Sequence, residues 1–248
     1  MERLKIMKCK FILIGLLLLV TNINIQLILT SNAIANSQSN TPLYYQVPIA
    51  SETKMINSRT LVGPKNFFSG YPAKGTNKMV NAIIEIPAGQ NEKWEISKKD
   101  GKMHWELQGA KPRIVSFLPY PFNYGIIPST YQSKETGGDG DPIDVLVLGP
   151  AIPRGSVVKV SLIGVLRLQD NGERDDKLLA VTNDSPFKNI NSLHGIKSKF
   201  PGVLEIIEVW LTKYKGKDQI ISKGYANQIK AQQLLNKAIK SFKLIKNK

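Results

Sequence analysis

The acid-rich segment Gly137–Asp144 runs directly into the apolar stretch Val145–Leu148, and this junction most restricts how the chain can fold. Its glycines and proline favour an irregular turn, so Asp139, Asp141 and Asp144 must point into a shared space rather than spread along a helix. Ionised carboxylates at such short separations repel one another, so a proton or a divalent cation must neutralise them. The oxygen-only ligand set favours Mg2+, or Mn2+ as a substitute, over zinc.

Two interpretations of this segment are open at this point. A solvated acidic turn is the simpler one, since Asp and Gly are ordinary turn residues. A calcium loop of the EF-hand type is disfavoured, because Ile143 and Asp144 stand where that loop requires an oxygen ligand and a glycine. A second acidic turn at Asp170–Lys177 favours a metal site, because two such loops on adjacent hairpins could build one centre.

Residues 1–35 have the pattern of a secretory signal. A basic start precedes the apolar core Phe11–Val20, and Ala33-Ile34-Ala35 is a small-x-small cleavage pattern. We therefore expect this leader to be removed, giving an exported (periplasmic or secreted) protein without stable membrane insertion. The alternative is a membrane anchor through an uncleaved leader, because the uncharged stretch continues to Thr30.

The chain is strongly basic. Loss of the leader would remove four basic residues and one acidic residue, lowering the formal net charge from +15 to +12. Such a balance favours an anionic partner, whether nucleic acid, a membrane surface or a phosphate compound. Many lysines lie in Lys223–Lys248, where apolar residues recur at helical spacing, so we expect a surface helix docked by its apolar face. A membrane-binding or nucleic-acid-binding tail is the alternative.

The 248 residues suffice for one full-sized domain with its own core. Residues 36–75, rich in Ser, Asn, Thr, Pro and Gly, predict an extended arm, followed by a domain at residues 76–248. Strands are predicted at Val80–Ile86, Val115–Leu118, Ile143–Leu148 and Val157–Leu168, and helices at Phe200–Tyr214 and in the lysine-rich C-terminal stretch. Strands before helices indicate an α+β fold with an antiparallel sheet or closed barrel and C-terminal helices.

Further charged or polar side chains stand in or beside apolar segments. These are Glu85, Lys93 and Glu95 on either side of Trp94, Arg113, Lys177 two residues after Asp175, and Tyr214-Lys215 at the end of the first predicted helix. Each basic residue alone is most simply a surface charge. Together with the carboxylates they are typical of a site for a highly charged, oxygen-rich substrate, and phosphate anhydrides fit that description.

Taken in their order along the chain, these charged and polar residues and the two acidic turns resemble those of the soluble family I inorganic pyrophosphatases, over roughly residues 78–240. The most specific match is the run Asp-Gly-Asp-Pro-Ile-Asp-Val at Asp139–Val145. The others agree in order: Glu85 before Ile86-Pro87, Lys93 with Glu95, Arg113, Asn123-Tyr124-Gly125, Asp170, Gly172–Lys177, Phe200-Pro201-Gly202 and Tyr214-Lys215. One departure is Asn171, where some members carry an acid.

The resemblance implies hydrolysis of inorganic diphosphate to two phosphates at a site with several Mg2+ ions, which generate a metal-bridged hydroxide nucleophile. It also implies a highly twisted, OB-like antiparallel β-barrel with helices packed outside, and we expect a homo-oligomer. Asp141 matches the residue that orients and deprotonates the attacking water, and Tyr124 hydrogen-bonds into the site.

The remaining site residues divide into metal ligands and phosphate-binding groups by the same resemblance. Asp139, Asp144 and Asp175 resemble ligands of the first metal, with Asp144 shared by a second. Asp170 and Asp175 resemble ligands of a metal arriving with substrate, and Glu95, helped through water by Glu85, those of a further metal. The groups that would bind the two phosphates are Lys93, Arg113, Lys177, Tyr214 and Lys215.

Two other functions are left open. A basic OB-like barrel can bind nucleic acid, but that use requires exposed aromatics between lysines, whereas this chain clusters carboxylates that repel a phosphate backbone. We therefore expect no nucleic-acid partner. A catalytically silent metal- or phosphate-binding protein is the other possibility, and Asp141 discriminates, because a binding protein could lose it freely while a hydrolase could not.

Overall fold

The computed structural model describes residues 48–217 and 219–246. The predicted signal at residues 1–35, with its membrane-anchor alternative, and residues 36–47 of the predicted arm lie outside the described residues. Among the helices that are described, none has the length and apolar character needed to span a bilayer.

Strands dominate the first three quarters of the described chain. They are β1 (Lys54–Asn57), β2 (Thr60–Val62), β3 (Val80–Ile86), β4 (Trp94–Ile96), β5 (Met103–Trp105), β6 (Leu107–Gln108), β7 (Lys111–Pro112), β8 (Asn123–Ile126), β9 (Asp144–Leu148), β10 (Val157–Asp170), β11 (Glu173–Arg174), β12 (Lys177–Val181) and β13 (Ile220–Asn227). The helices are α1 (Leu193–Lys199), α2 (Val203–Lys213) and α3 (Gln228–Lys246), and Lys134–Thr136 forms a short 3-10 turn.

The long strand β10 closes the main sheet into a barrel. Its first four residues pair with β3, from Val157 opposite Ile83 to Val160 opposite Val80, and its next part pairs with β12. Since β12 pairs with β9, β9 with β8 and β8 with β3, the ladder returns to its starting strand. Closure removes the free edges that an open sheet would expose.

The prediction of a wholly antiparallel barrel is wrong for one ladder. Strands β9 and β12 run parallel, with Asp144 opposite Lys177 and Leu148 opposite Val181. The chain reverses twice between them, once before β10 and once at the tight turn after Asp170, so β12 returns in the direction of β9. The two acidic loops therefore meet on adjacent parallel strands and not on adjacent hairpins.

Barrel strands are buried on both faces. In β9, Leu146 and Leu148 join the core beneath α1 and α2, while Val145 and Val147 join a second core beneath α3. The helix α3 contributes Ala231, Leu235 and Ala238 to this second core, at the spacing of one helical face. The α+β class with C-terminal helices is confirmed.

Two predicted helices begin later than their sequence patterns suggest. The helix predicted at Phe200–Tyr214 is observed as α2, after the Pro201-Gly202 turn. The C-terminal helix begins only at Gln228, because the preceding residues form β13, which pairs with β10. The short helix α1, with the hydroxyl of Ser192 accepting the Gly195 N–H, was not predicted.

The strand predicted at Val115–Leu118 is wrong. The side-chain amide of Asn91 donates to the carbonyl oxygens of both Val115 and Phe117, at 2.9 Å each, so a side chain takes up backbone groups that a strand would pair. Pro119 supplies no N–H, and Leu118 is 68% exposed. Arg113 consequently lies in a loop rather than at the start of a strand.

The described part of residues 36–75 packs onto the body. Strands β1 and β2 form a hairpin, and β2 extends it through β5 to β4. Leu61 and Phe67 are completely buried in a small core with Trp94. This hairpin sheet backs the segment that carries Lys93 and Glu95 into the site.

Candidate active site

The acidic loop is held in a tight conformation by its own backbone. The N–H of Gly140 donates to the carbonyl oxygen of Gln132 and the N–H of Gln132 donates to that of Asp141, both at 2.8 Å. The N–H of Asp141 donates to Oδ1 of Asp139 at 2.9 Å. A Cβ on Gly138 would lie 2.7 Å from the Gln132 carbonyl oxygen, so this close approach requires glycine.

The parallel ladder joins the two acidic loops. Because Asp144 and Lys177 are direct neighbours on β9 and β12, the Nζ atom of Lys177 contacts the Asp144 carboxylate and lies 2.5 Å from Oδ1 of Asp175. Tyr124, on the adjacent strand β8, accepts a longer hydrogen bond of 3.3 Å from the same ammonium group. The Lys177 side chain is only 6% exposed.

Electrostatics keep this buried ammonium charged. Burial would lower the pKa of Lys177, but the combined attraction of Asp144 and Asp175 holds it well above its usual value. Burial raises the pKa of Asp144, and Lys177 opposes that shift. For Asp175, burial acts in the same raising direction, but Lys177, Lys215 and Lys93 outweigh it and lower the pKa.

Two carboxyl groups of the site hold their protons more tightly than exposed carboxyl groups do, chiefly because they are buried. Burial raises the pKa of Asp139 to about 6, with neighbouring carboxylates adding to the shift and the Asp141 N–H opposing it. Burial raises the pKa of Glu85 to about 8, even though this carboxyl accepts the Ile96 N–H at 2.7 Å and lies near Lys93. Raised carboxyl pKa values identify the positions at which an added cation would be most favourable.

The wall opposite the acidic loop comes from β4 and the loops around it. Trp94 packs into the core while Lys93 and Glu95 line the cavity, because successive side chains of an extended segment point to opposite faces. The ammonium of Lys93 lies 5.3 Å from the centre of the Tyr124 ring, close enough for a cation–π contact. The Arg113 guanidinium is held by Oε1 of Glu106 at 2.6 Å.

These walls enclose one cavity of about 410 Å3. It is lined by every site residue that the sequence predicted, namely Glu85, Lys93, Glu95, Arg113, Tyr124, Asp139, Asp141, Asp144, Asp170, Asp175, Lys177, Tyr214 and Lys215. Lys215 enters from the end of α2 and contacts the carboxylate of Asp170. The loops and strands that the sequence treats as separate motifs thus converge on one volume.

Lys98 is a site residue that the sequence reasoning missed. Its Nζ atom lies 2.5 Å from Oδ1 of Asp141 and also contacts the carbonyl oxygen of Gly140. The neighbouring Lys99 is exposed, and nothing in the Ser97-Lys98-Lys99 sequence distinguishes the two lysines. Glu106, which forms an ion pair with Arg113, is a second residue that the sequence reasoning missed.

The carboxylates fit a divalent metal by chemistry. Within residues 48–217 and 219–246, no three acidic, histidine or cysteine side chains converge closely enough to hold an ion as they stand. The Lys177 ammonium instead bridges Asp144 and Asp175. The donors are nonetheless all oxygens, and burial, with neighbouring carboxylates adding to it, raises the pKa values of Asp139 and Asp144, so a hard cation such as Mg2+ would stabilise their ionised forms.

Known proteins share both the sequence and the fold. The family model described as "Inorganic pyrophosphatase" matches residues 82–243. Curated inorganic pyrophosphatases are similar in sequence: that of Bos taurus is 34% identical over 166 residues, covering 61% of this chain and 57% of its own length. That of Dictyostelium discoideum is 36% identical over 149 residues, covering 56% and 53%. The chain thus spans less than two thirds of the length of these relatives.

Solved structures give the same result. The inorganic pyrophosphatase of Schistosoma japonicum superimposes with a TM-score of 0.71 at 27% identity, covering 75% of this chain and 76% of that one. The enzyme of Helicobacter pylori is 30% identical with a TM-score of 0.58, covering 71% and 97%. Since the family model spans well over half of the residues and includes the acidic loop, this chain belongs to the inorganic pyrophosphatase family.

Proposed function

We propose that this protein hydrolyses inorganic diphosphate to two phosphates. The observation that carries the proposal is the single cavity lined by all the predicted carboxylates together with five phosphate-binding candidates. Membership of the pyrophosphatase family supports the same reaction. The barrel that holds this cavity is, in our proposal, of the OB-like type, since five strands close on one another around a core.

The basic side chains bind the two phosphate groups. Lys93, Arg113, Lys177, Lys215 and the Tyr214 hydroxyl all line the cavity. Burial raises the pKa of Tyr214, so its hydroxyl stays protonated and can donate to a phosphate oxygen. Fixed cations and donors in a partly enclosed pocket stabilise charge that develops on a leaving phosphate.

The carboxylates would hold Mg2+. By the family resemblance, Asp139, Asp144 and Asp175 would be ligands of a first ion, and Asp144 would also serve a second. Asp170 and Asp175 would bind an ion that arrives with substrate, and Glu95, assisted by Glu85, would bind a further one. When bound, such ions neutralise phosphate oxygens and make a coordinated water more acidic. With such ions in place, Lys177, which contacts Asp144 and Asp175 in this structure, would be available to a phosphate oxygen.

Asp141 is the proposed general base. The oxygen of a water molecule forms a bond to one phosphorus, and the bond from that phosphorus to the bridging oxygen breaks. Asp141 accepts the proton of the water, and the bridging oxygen leaves with the second phosphate. The Asp141 carboxylate is 57% exposed and lies at the cavity mouth beside Lys98, a position from which it can reach a water that enters with substrate.

Export and assembly are further parts of the proposal. The leader pattern at residues 1–35 supports secretion or a periplasmic location, with an uncleaved anchor as the alternative. An exported enzyme would meet extracellular rather than biosynthetic diphosphate. A homo-oligomer is proposed from the family resemblance.

Phosphate release from diphosphate tests the proposal. The protein is assayed with Mg2+, with EDTA, and as Asp141→Asn in comparison with Asp184→Asn, which removes the same charge at an exposed position outside the cavity. We expect metal-dependent release that falls by about 100-fold to 10,000-fold in Asp141→Asn and is unchanged in Asp184→Asn. A folded protein that releases no phosphate with any divalent metal would favour the silent binding protein instead.

A further inference from the structure

A second charged cavity lies outside the active site. It has a volume of about 320 Å3 and is lined by four basic residues, Arg167, Arg174, Lys223 and Lys230. Among the residues that the structure describes, Asp176 is the single acidic residue in its lining, and Leu168 and Leu234 supply apolar surface. We call this cavity the basic pocket. Its lining shares no residue with that of the active-site cavity.

The positive charge of the basic pocket is only partly compensated. Nε of Arg174 is buried without a hydrogen-bond partner among the described residues, and it lies 3.7 Å from Oδ2 of Asp176. Lys223 and Lys230 form no ion pair within residues 48–217 and 219–246. With four cations facing one carboxylate, the pocket is suited to an anion.

The Arg167 guanidinium is held in place at one side of the basic pocket by backbone hydrogen bonds. It donates to the carbonyl oxygens of Lys223 and Gly224, so it ties β10 to β13 beneath the register shift between these strands. A guanidinium held in place by backbone groups loses little conformational freedom when it binds an anion. Arg and Lys side chains from separate strands and from the first turn of α3 therefore converge on one small volume.

The segment Arg174–Lys177 connects the two cavities. Asp175 and Lys177 face the active-site cavity, whereas Arg174 and Asp176 face the basic pocket. This division follows from strand alternation, because successive side chains point to opposite faces. An anion bound to Arg174 would thus act on the reverse side of the backbone that carries Asp175.

We propose that the basic pocket binds inorganic phosphate as a second anion site, separate from the catalytic cavity. Phosphate is small enough for the pocket, and its several acceptor oxygens match a set of guanidinium and ammonium donors from different directions. Two observations point to an oxyanion: Arg174 Nε has no hydrogen-bond partner among the described residues although Nη1 donates to the Thr136 carbonyl oxygen, and the charge of the pocket is only partly compensated. This proposal does not depend on diphosphate hydrolysis.

Phosphate binding to the full chain in EDTA, measured by calorimetric titration, tests the proposal. Three variants are compared with the unmodified protein: Arg167→Met/Lys230→Met in the basic pocket, Arg113→Met in the active-site cavity, and Lys237→Met/Lys240→Met on the exposed face of α3. The last pair removes the same charge as the first without touching either cavity. Thermal unfolding confirms that each variant is folded.

We expect the basic-pocket pair to weaken one class of phosphate binding by about tenfold or more, since two charge-assisted contacts are lost. The Arg113→Met variant should retain that class, and so should the Lys237→Met/Lys240→Met pair. Equal phosphate affinity in both double variants would overturn the proposal. So would binding that disappears in Arg113→Met alone, because all phosphate would then occupy the catalytic cavity.

Discussion

Two regions of the active-site cavity are built in different ways. The strand wall, formed by Tyr124, Asp144 and Lys177, lies on neighbouring strands whose register fixes each side chain, and its charged groups are almost completely buried. The loop rim, formed by Lys98, Asp141 and Arg113, lies on irregular backbone and is partly exposed. Charged groups in the strand wall therefore carry a large desolvation cost and keep the same partners. Charged groups in the loop rim are screened by solvent and can exchange partners.

Removing the central cation of the strand wall should have the largest effect. Lys177→Met removes the one ammonium group that contacts both Asp144 and Asp175 and leaves only the more distant Lys93 and Lys215 to offset them, and we expect it to lower the free energy of unfolding in EDTA by about 3–5 kcal/mol. Urea denaturation measures this loss, with the exposed Lys159→Met as the matched control. Added Mg2+ should restore part of the stability, because it can replace the missing positive charge.

If Lys177→Met lowered the free energy of unfolding by less than about 1 kcal/mol, the ion pairs of the strand wall would behave like exposed ion pairs, which contradicts this description of the wall.

The pH dependence of stability should show the second-largest effect. Glu85 has a folded-state pKa of about 8, above its ordinary value of 4.5, so the folded protein binds this proton more tightly than the unfolded chain does. Its neutral form stabilises the fold below pH 4.5, and that stability is lost as the pH rises to about 8. Asp139, with a pKa of about 6, contributes in the same direction over a narrower range.

Denaturation in EDTA between pH 5 and pH 8 measures this effect. We expect the unmodified protein to lose about 2–4 kcal/mol over that range and Glu85→Gln to lose much less, because the amide does not ionise. The exposed Glu205→Gln on α2 should retain the full pH dependence. Parallel curves for Glu85→Gln and the unmodified protein would argue that Glu85 is already ionised without cost.

The smallest effect is expected at the loop rim. Lys98→Met removes the partner of Asp141, but both side chains are substantially exposed, so the free energy of unfolding should change by less than about 1 kcal/mol. We expect kcat for phosphate release to fall several-fold with little change in KM, because Asp141 loses its orientation and not its charge. Lys98→Arg should recover most of the rate.

A stability loss in Lys98→Met as large as that in Lys177→Met would remove the distinction between wall and rim.

Much of the site could be predicted because its chemistry is local in sequence. The glycines and proline of Gly137–Asp144 form a turn that brings Asp139, Asp141 and Asp144 together, and the single residue between Asp175 and Lys177 puts both on one side of an extended segment. The strands β3, β9 and β10 are recognisable for a similar reason, since apolar and polar residues alternate in β3, and apolar or β-branched residues continue through β9 and β10.

The remaining features depend on distant partners. Strand β13 reads as a lysine-containing continuation of the C-terminal helix, and only its ladder with β10 makes it extended. Val115–Leu118 is apolar like a strand but is held by the amide of Asn91, which no local pattern reveals. Lys98 differs from Lys99 only through where Asp141 lies in space.

The closure of the barrel by β10 also has a consequence for folding kinetics. Strand β3 can complete its pairing only when Val157–Val160 is available, and Asp144 meets Lys177 only after β12 has formed. Most of these pairings join residues far apart in the chain, which is the topology of slow folding. A growing polypeptide therefore carries the Asp144 carboxylate without its Lys177 partner until that residue has been synthesised, and a truncation before Val181 could not complete the β9–β12 ladder that joins the two acidic loops.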